Sequence, residues 1–474
     1  MTMPILTGRK RRTRQCLSLA LLLFLVARCG GGGSTGGEDA TAEDVGETDA
    51  AEQIEIDGAQ DADADAPDAG DADLPPDGPG DPDADDAGEV VIPPGALRVE
   101  MDGEDTGDCR SDPCRTLDYA GTKMQPGDVL YVGDGSYDTL VSNDTFPSGT
   151  AEGFTVVRAV HDGGAVVTGG LELYRNGEFY LQFEGLRFES GTGKGVAGGH
   201  VHFLRASFVG GPPSGNTVNW GAGTNDFEPG AWDILCEDCL FYGLGGRYAA
   251  LVYRGQNVVL RRAVARKDGG WGLEGPDSTG WEPEGVIIFY ESAGSACEQC
   301  VVLDSLKLSD DSAEGLGALI LNSHSDTLHH DVHVTQSIVV NNAYTGLALE
   351  GNGAVLDALF ADTYSAANTG NGVTLALDTL TGTFERCAVI GNGGDGIADY
   401  GSATVSILDC IVRDNAGEQL RGVTGETGGA GPGAIDLSGF DDGRIRAELC
   451  NGVDRGFCAT SSTFEDYLRS FMER

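Results

Sequence analysis

A short pattern built around one small residue recurs along the second half of the chain. It restricts the fold more than any other feature of the sequence. It is clearest at Phe384-Glu385-Arg386-Cys387-Ala388-Val389 and at Ile407-Leu408-Asp409-Cys410-Ile411-Val412, each followed five residues after the cysteine by an asparagine, Asn392 and Asn415. Self-similarity at a period of about two dozen residues is the signature of stacked coils. With the small residue taken as the centre, repeats fall at Leu186, Ala206, Cys239, Ala263, Cys300, Ser337, Ala358, Cys387 and Cys410. Apolar residues stand three before and two after the centre, as in Phe203 and Phe208, or Phe384 and Val389. Offsets of two return to one face of a strand, and an offset of three across the centre requires a bend between two short strands. A helical period does not fit.

A further strand follows each centre, at Val286-Ile287-Ile288-Phe289, Ala318-Leu319-Ile320-Leu321, Leu347-Ala348-Leu349 and Val373-Thr374-Leu375. Several are preceded by Asn-x-x-x-Gly, at Asn342 to Gly346, Asn368 to Gly372 and Asn392 to Gly396. Asn and Gly tolerate corner geometry, and an Asn at the same corner of each coil predicts a stacked ladder. Short strands, tight corners and one apolar column per face describe an all-β solenoid, the parallel β-helix. Both ends need covering, because an open coil exposes strand edges. Short capping helices are predicted from Pro113 to Met124, stopped before Gln125-Pro126-Gly127, and from Ser462-Thr463-Phe464-Glu465 onward, where Phe464, Tyr467, Leu468 and Phe471 keep helical spacing.

The run Asp112-Pro113-Cys114-Arg115-Thr116-Leu117, then Ala120, Pro126-Gly127-Asp128-Val129-Leu130-Tyr131-Val132 and Gly135-Ser136-Tyr137 resembles the opening motif of secreted right-handed parallel β-helix proteins of the pectate-lyase-like superfamily. The resemblance spans residues 97–450. It implies the handedness of the solenoid but no single activity, since that superfamily holds lyases, hydrolases, epimerases and non-enzymatic surface proteins.

The chain divides into three parts. Residues 1–29 read as an export signal: a basic run from Arg9 to Arg14, an apolar stretch from Leu17 to Ala27 too short to span a bilayer, then Cys29 and four glycines. This resembles a bacterial lipoprotein signal with Cys29 as the lipidated residue, although Arg28 stands where that pattern has Gly, Ala or Ser. Residues 30–95 are rich in Asp, Glu, Ala, Gly and Pro and hold no Lys or Arg, the composition of a disordered acidic tether. Residues 96–474 form the β-helix domain. The location implied is an exported protein, lipid-anchored at the outer membrane or cell surface, with membrane contact through the anchor only. The net charge of −45 argues against nucleic acid as a partner.

Twelve cysteines in an exported chain suit an oxidising compartment. Cys109 with Cys114, and Cys450 with Cys458, read as small-loop disulfides; Cys387 and Cys410 share one column a coil apart and form a third candidate pair. Cys236-x-x-Cys239 and Cys297-x-x-Cys300 have zinc-ligand spacing, but they fall where other coils place core residues, so core packing is the favoured reading, paired or free.

Chemistry is expected where the repeat is interrupted, because loops on a rigid scaffold carry function. The longest interruptions, Lys267 to Gly285 and Asp304 to Gly317, leave consecutive coils. Trp271 and Trp281, with Arg262 and Arg266, are candidate sugar-binding residues. A lyase or glycosidase in the same groove would draw on Arg266, Lys267, Glu274, Glu282, Asp310 and Asp311. No cofactor is called for, though calcium would suit these carboxylates. His324, Asp326, His329 and His330 are a weaker metal-ligand set. A polysaccharide or cell-envelope component is the expected partner; a lyase or hydrolase, or a structural or adhesive surface protein, are the alternatives.

Overall fold

The computed structural model describes residues 90–189, 194–211, 216–221, 230–244, 247–268, 285–306, 317–323, 329–351, 353–376 and 379–473. The signal and nearly all of the tether lie outside these residues, as do Trp271, Trp281, Glu274, Glu282, Asp310, Asp311, His324 and Asp326; of His329 only the backbone is described.

The chain winds as a three-faced solenoid of parallel strands. One face is built from Ile287–Tyr290, Gly317–Ser323, Thr345–Gly351 and Val373–Ala376 with their counterparts in other coils. The second carries Ala296–Glu298, His333–Thr335, Ala354–Ala361 and Thr379–Glu385. The third carries Val301–Leu303, Ile338–Val340, Tyr364–Ala366 and Ala388–Ile390. Each strand pairs in parallel with the equivalent strand one coil on. Nearer the N-terminus, Leu171–Glu184 and Lys194–Leu204 run unbroken across the first two faces.

Register turns the sequence repeat into columns. Phe183, Phe203, Cys236, Leu260, Cys297, Val334, Phe360, Phe384 and Ile407 stand one above another inside the second face, all buried. Phe183 and Phe203 stack at 5.4 Å, and Phe360 on Phe384 at 4.7 Å. Each such side chain contributes about 1.5–3 kcal/mol of burial, available only when its neighbouring coils are in place.

One centre needs correction. Ala358 does not sit at a bend: it lies within a strand opposite Gly382, and Phe360 belongs with Phe384 in the inner column. The bend of that coil is at Thr363, before Tyr364–Ala366. The reason is a hydrogen-bonding need that hydropathy does not register. The Thr363 hydroxyl donates to the Val334 carbonyl (3.2 Å), as Ser337 does to Cys297 (3.2 Å), and as the Cys387 and Cys410 thiols do to Phe360 (3.3 Å) and Phe384 (3.4 Å). In these coils the bend residue is a small donor that satisfies a carbonyl of the coil before it.

The same geometry explains why Cys387 and Cys410 are free thiols rather than the predicted pair. In-register side chains point in parallel, so each thiol reaches back to a carbonyl, and the Cys387 backbone N–H donates to the Cys410 sulfur (3.3 Å). A disulfide needs converging Cβ vectors. Cys109–Cys114 and Cys450–Cys458 are bonded, and so is Cys297–Cys300.

At the corner after the third face, Asn342, Asn368, Asn392 and Asn415 form a buried ladder. Each side-chain oxygen from Asn368 onward accepts both the backbone N–H and the side-chain N–H of the asparagine one coil earlier, at 2.9–3.1 Å. Ser305 leads into it, its backbone N–H donating to Asn342 (3.1 Å), and Gln419 closes it beyond Asn415 (2.8 Å).

At the start, a short helix Leu117–Gly121, capped by Thr116 accepting from the Tyr119 N–H, buries Leu117 and Ala120. The C-terminal helices Asp442–Leu449 and Phe464–Met472 are capped by Asp441 and Thr463. They pack along the flank of the solenoid, on the outer side of the third face. There Ile445, Leu449, Phe457, Phe464 and Leu468 cover Leu240, Val264, Val301, Leu303 and Ile338. Val264, Val301 and Ile338 are outward positions of a strand repeat, and their apolar character is explained by this strap.

Candidate functional site

The basic cluster singled out in the sequence is structural. Arg266 has a side chain 1% exposed; it pairs with Asp268 at 2.6 Å and donates to the Leu449 carbonyl in the strap. Lys267 is equally buried, its ammonium donating to the main-chain oxygens of Arg247 and Gly285 (3.3 Å for the latter). Neither head group is presented to a ligand, which corrects their candidacy for catalysis and binding. Arg262 is half-buried and held by Asp238 (2.7 Å) and Glu237. It stands one residue before a bend, in a corner column where Asp238, Arg262, Asp362 and Arg386 all have positive φ, and Arg386 pairs with Asp362 in the same way. Cross-coil charge pairing, not ligand capture, accounts for Arg262. His330 pairs with Asp331 at 2.7 Å, and among the described residues no cluster of three or more His, Cys, Asp or Glu is arranged to hold a metal.

The described surface instead presents an aromatic platform on the N-terminal coils. The corner between the first and second faces lies six residues before each bend, and its backbone is left-handed at Tyr180, His200, Asp233, Asn257, Asp331 and Asp357. Asn and Asp suit that conformation, and Tyr and His are unusual there. Register places Phe154, Tyr180, His200 and Asp233 one above another, because the residues that follow them, Thr155, Leu181, Val201 and Ile234, pair coil to coil. Tyr180 stacks on His200 with ring centroids 4.3 Å apart and planes 3° from parallel. Phe154 meets Tyr180 edge-on at 5.6 Å and stacks on His202 at 4.4 Å. Trp232 joins them from the next coil: a Cβ on Gly199 would fall 2.0 Å from its indole nitrogen, so glycine there is what lets the indole lie against the preceding coil. All five residues are half-buried, the His200 side chain being 24% exposed.

The electrostatics of this patch are acidic. His200 lies 3.6 Å from the Asp233 carboxylate and 4.0 Å from that of Glu178, whose side chains are 44% and 63% exposed. Burial pushes the His202 imidazole down to about 4, with the charge of His200 adding to the effect, so His202 is neutral near pH 7. Burial and the neighbouring Glu178 push the Tyr180 phenol up, keeping it a donor. Among the described side chains, the arrangement offers stacking faces with hydrogen-bonding edges and no fixed positive charge.

Sequence reasoning missed Phe154, Tyr180, His200 and His202 because it looked for function in the interruptions of the repeat. The signal was within the repeat: Tyr180 and His200 stand six before their centres, where later coils carry Asp, Asn, Gly or Thr.

A family model described as a right handed beta helix region matches residues 284–431. The solved structures it is similar to share the fold at low identity. The mannuronan C-5 epimerase AlgE4 A-module of Azotobacter vinelandii is 17% identical over 61% of this chain and 70% of that one, with a TM-score of 0.37. An alginate lyase from Paenibacillus sp. is 14% identical over 65% and 96%, TM-score 0.41, and the pectate lyase Pel9A 12% identical over 68% and 80%, TM-score 0.39. A search of curated protein sequences finds no match. The molecule is a right-handed parallel β-helix.

Proposed function

We propose that this chain is an exported, lipid-anchored β-helix that binds an extracellular or cell-envelope polysaccharide on the platform of Phe154, Tyr180, His200, His202 and Trp232. The observation that carries the reading is the contiguity of four half-buried rings, with Trp232 against Gly199 beside them, along successive coils of a rigid scaffold. Aromatic faces beside hydrogen-bonding edges suit sugar rings, which present apolar C–H faces and hydroxyl rims. A solenoid repeats its surface every 4.7–4.9 Å or so, a spacing suited to a polymer rather than a single sugar. Binding is favoured over catalysis because the two basic residues best placed by sequence for a lyase, Arg266 and Lys267, are engaged inside the fold.

The double variant Tyr180→Ala/His200→Ala should lower affinity for a bound glycan at least about ten-fold, since each lost stacking contact is worth roughly 0.5–1.5 kcal/mol beyond area. Affinity electrophoresis in polysaccharide-containing gels reads this directly; wild-type retention by the double variant would sink the proposal. The anchor and tether, residues 1–29 and 30–95, are part of the same reading, supported by the basic run, the short apolar stretch and Cys29. Cys29→Ala should move the protein from the membrane to the soluble fraction on cell fractionation, and an unchanged membrane fraction would refute the anchor.

A further inference from the structure

The charge distribution around the platform narrows the class of glycan. Three carboxylates stand at it: Glu178 and Asp233 beside His200, and Glu152, exposed and close enough to act on Tyr180. Four described arginines of the neighbouring coils are neutralised in pairs. Arg158 is held by Glu184 (2.6 Å), Arg205 by Asp162 (3.0 Å), Arg254 by Glu291 (2.8 Å) and Arg261 by Glu298 (2.8 Å). A site for a carboxylated polymer needs cations presented to each sugar, most effectively as arginine forks. Here those forks point at the protein's own carboxylates.

Among the described side chains, the remaining positive candidate is imidazole. His202 is neutral near pH 7 through burial, and His200 faces two carboxylates of the protein itself. The wider field adds in the same direction, since residues 96–474 hold 54 Asp and Glu against 24 Lys and Arg, and a cleft or face of one sign repels a polymer of that sign.

We propose that the glycan bound on this face carries no carboxylates: it is a neutral or amino-bearing polymer, not a polyuronate. The proposal rests on the aromatic platform being the binding face. It separates this chain's ligand from mannuronan, alginate and pectate, the polymers named for the structures it is similar to in fold.

Calorimetric titration of the full chain with four probes tests it: hexamers of β-1,4-linked glucose, glucosamine, mannuronate and α-1,4-linked galacturonate, at physiological salt. The glucose or glucosamine hexamer should bind at least about ten-fold more tightly than either uronate, and the glucosamine hexamer should weaken as salt rises. The variant Glu178→Gln/Asp233→Asn should lose the preference for glucosamine over glucose while keeping the platform. Uronate binding equal to or tighter than the other two, abolished by Tyr180→Ala/His200→Ala, would overturn this inference and leave the platform standing. Binding unaffected by that double variant, or no binding to any of the four, would overturn the platform reading and this inference with it.

Discussion

Asn368→Leu should destabilise the protein by about 3–5 kcal/mol, the largest loss expected from a single change that leaves the apolar columns intact. The Asn368 side-chain oxygen accepts from both the backbone and the side chain of Asn342, and its amide donates to the Val339 carbonyl (3.0 Å), to Ser365 and to Asn392. Leucine is close in size but offers none of these contacts. It strands buried donors in the coil before and a carbonyl on its own inward side, where water does not reach. Because stability in a solenoid is a sum over neighbouring interfaces, the damage should be local. Hydrogen exchange should accelerate over the coils spanning residues 339–400 and leave those before residue 260 slow. A shift in denaturant midpoint equivalent to less than about 1 kcal/mol would mean that the ladder is decoration rather than structure.

Asp304→Leu should release the C-terminal strap. The buried Asp304 carboxylate accepts from the Tyr467 hydroxyl (2.5 Å), the Phe457 backbone N–H (2.7 Å) and the Asn341 amide (2.7 Å). The first two bonds join the strap to a bend of the third face at one point, where Gly456 comes close enough to Asp304 that no side chain would fit. Removing a charged acceptor shared by two buried donors and the Asn341 amide costs about 3 kcal/mol or more. The expected result is rapid proteolysis between the last coil and the helix Asp442–Leu449, with the solenoid itself surviving. The outward side chains of Val264, Val301 and Ile338 would then be exposed, and dye binding to apolar surface should rise. A strap that stays protease-resistant in this variant would show that apolar packing alone holds it.

The columns were legible because the physics that builds them is written in hydropathy. Phe203, Val334 and Phe384 are apolar at one offset from a bend, and nothing else in a solenoid occupies that offset. The asparagine ladder was legible for a related reason, since the corner admits few residue types. Thr363 was hidden because its role is to donate one hydrogen bond, and the neighbouring Ala358-x-Phe360 imitates the centre-and-column spacing. Arg266 looked available because sequence does not show that a strap nearly two hundred residues later closes over it; its partner Leu449 is remote in the chain. The free thiols of Cys387 and Cys410 follow from the parallel direction of in-register side chains, a fact of three dimensions. The aromatic platform lay between these cases. Tyr180 and His200 are visible as departures from the small or polar Asp, Asn, Gly and Thr of the later coils at one position, once it is aligned across coils.

The most direct test of the account is a hydrogen-exchange footprint of the full-length protein with and without a saturating glycan that it binds. The aromatic platform predicts protection confined to the peptides around residues 152–156, 178–184, 199–204 and 231–237. Protection at the shallow recess lined by Ile435, Leu437, Glu465 and Arg469, with none at the four platform segments, would contradict it.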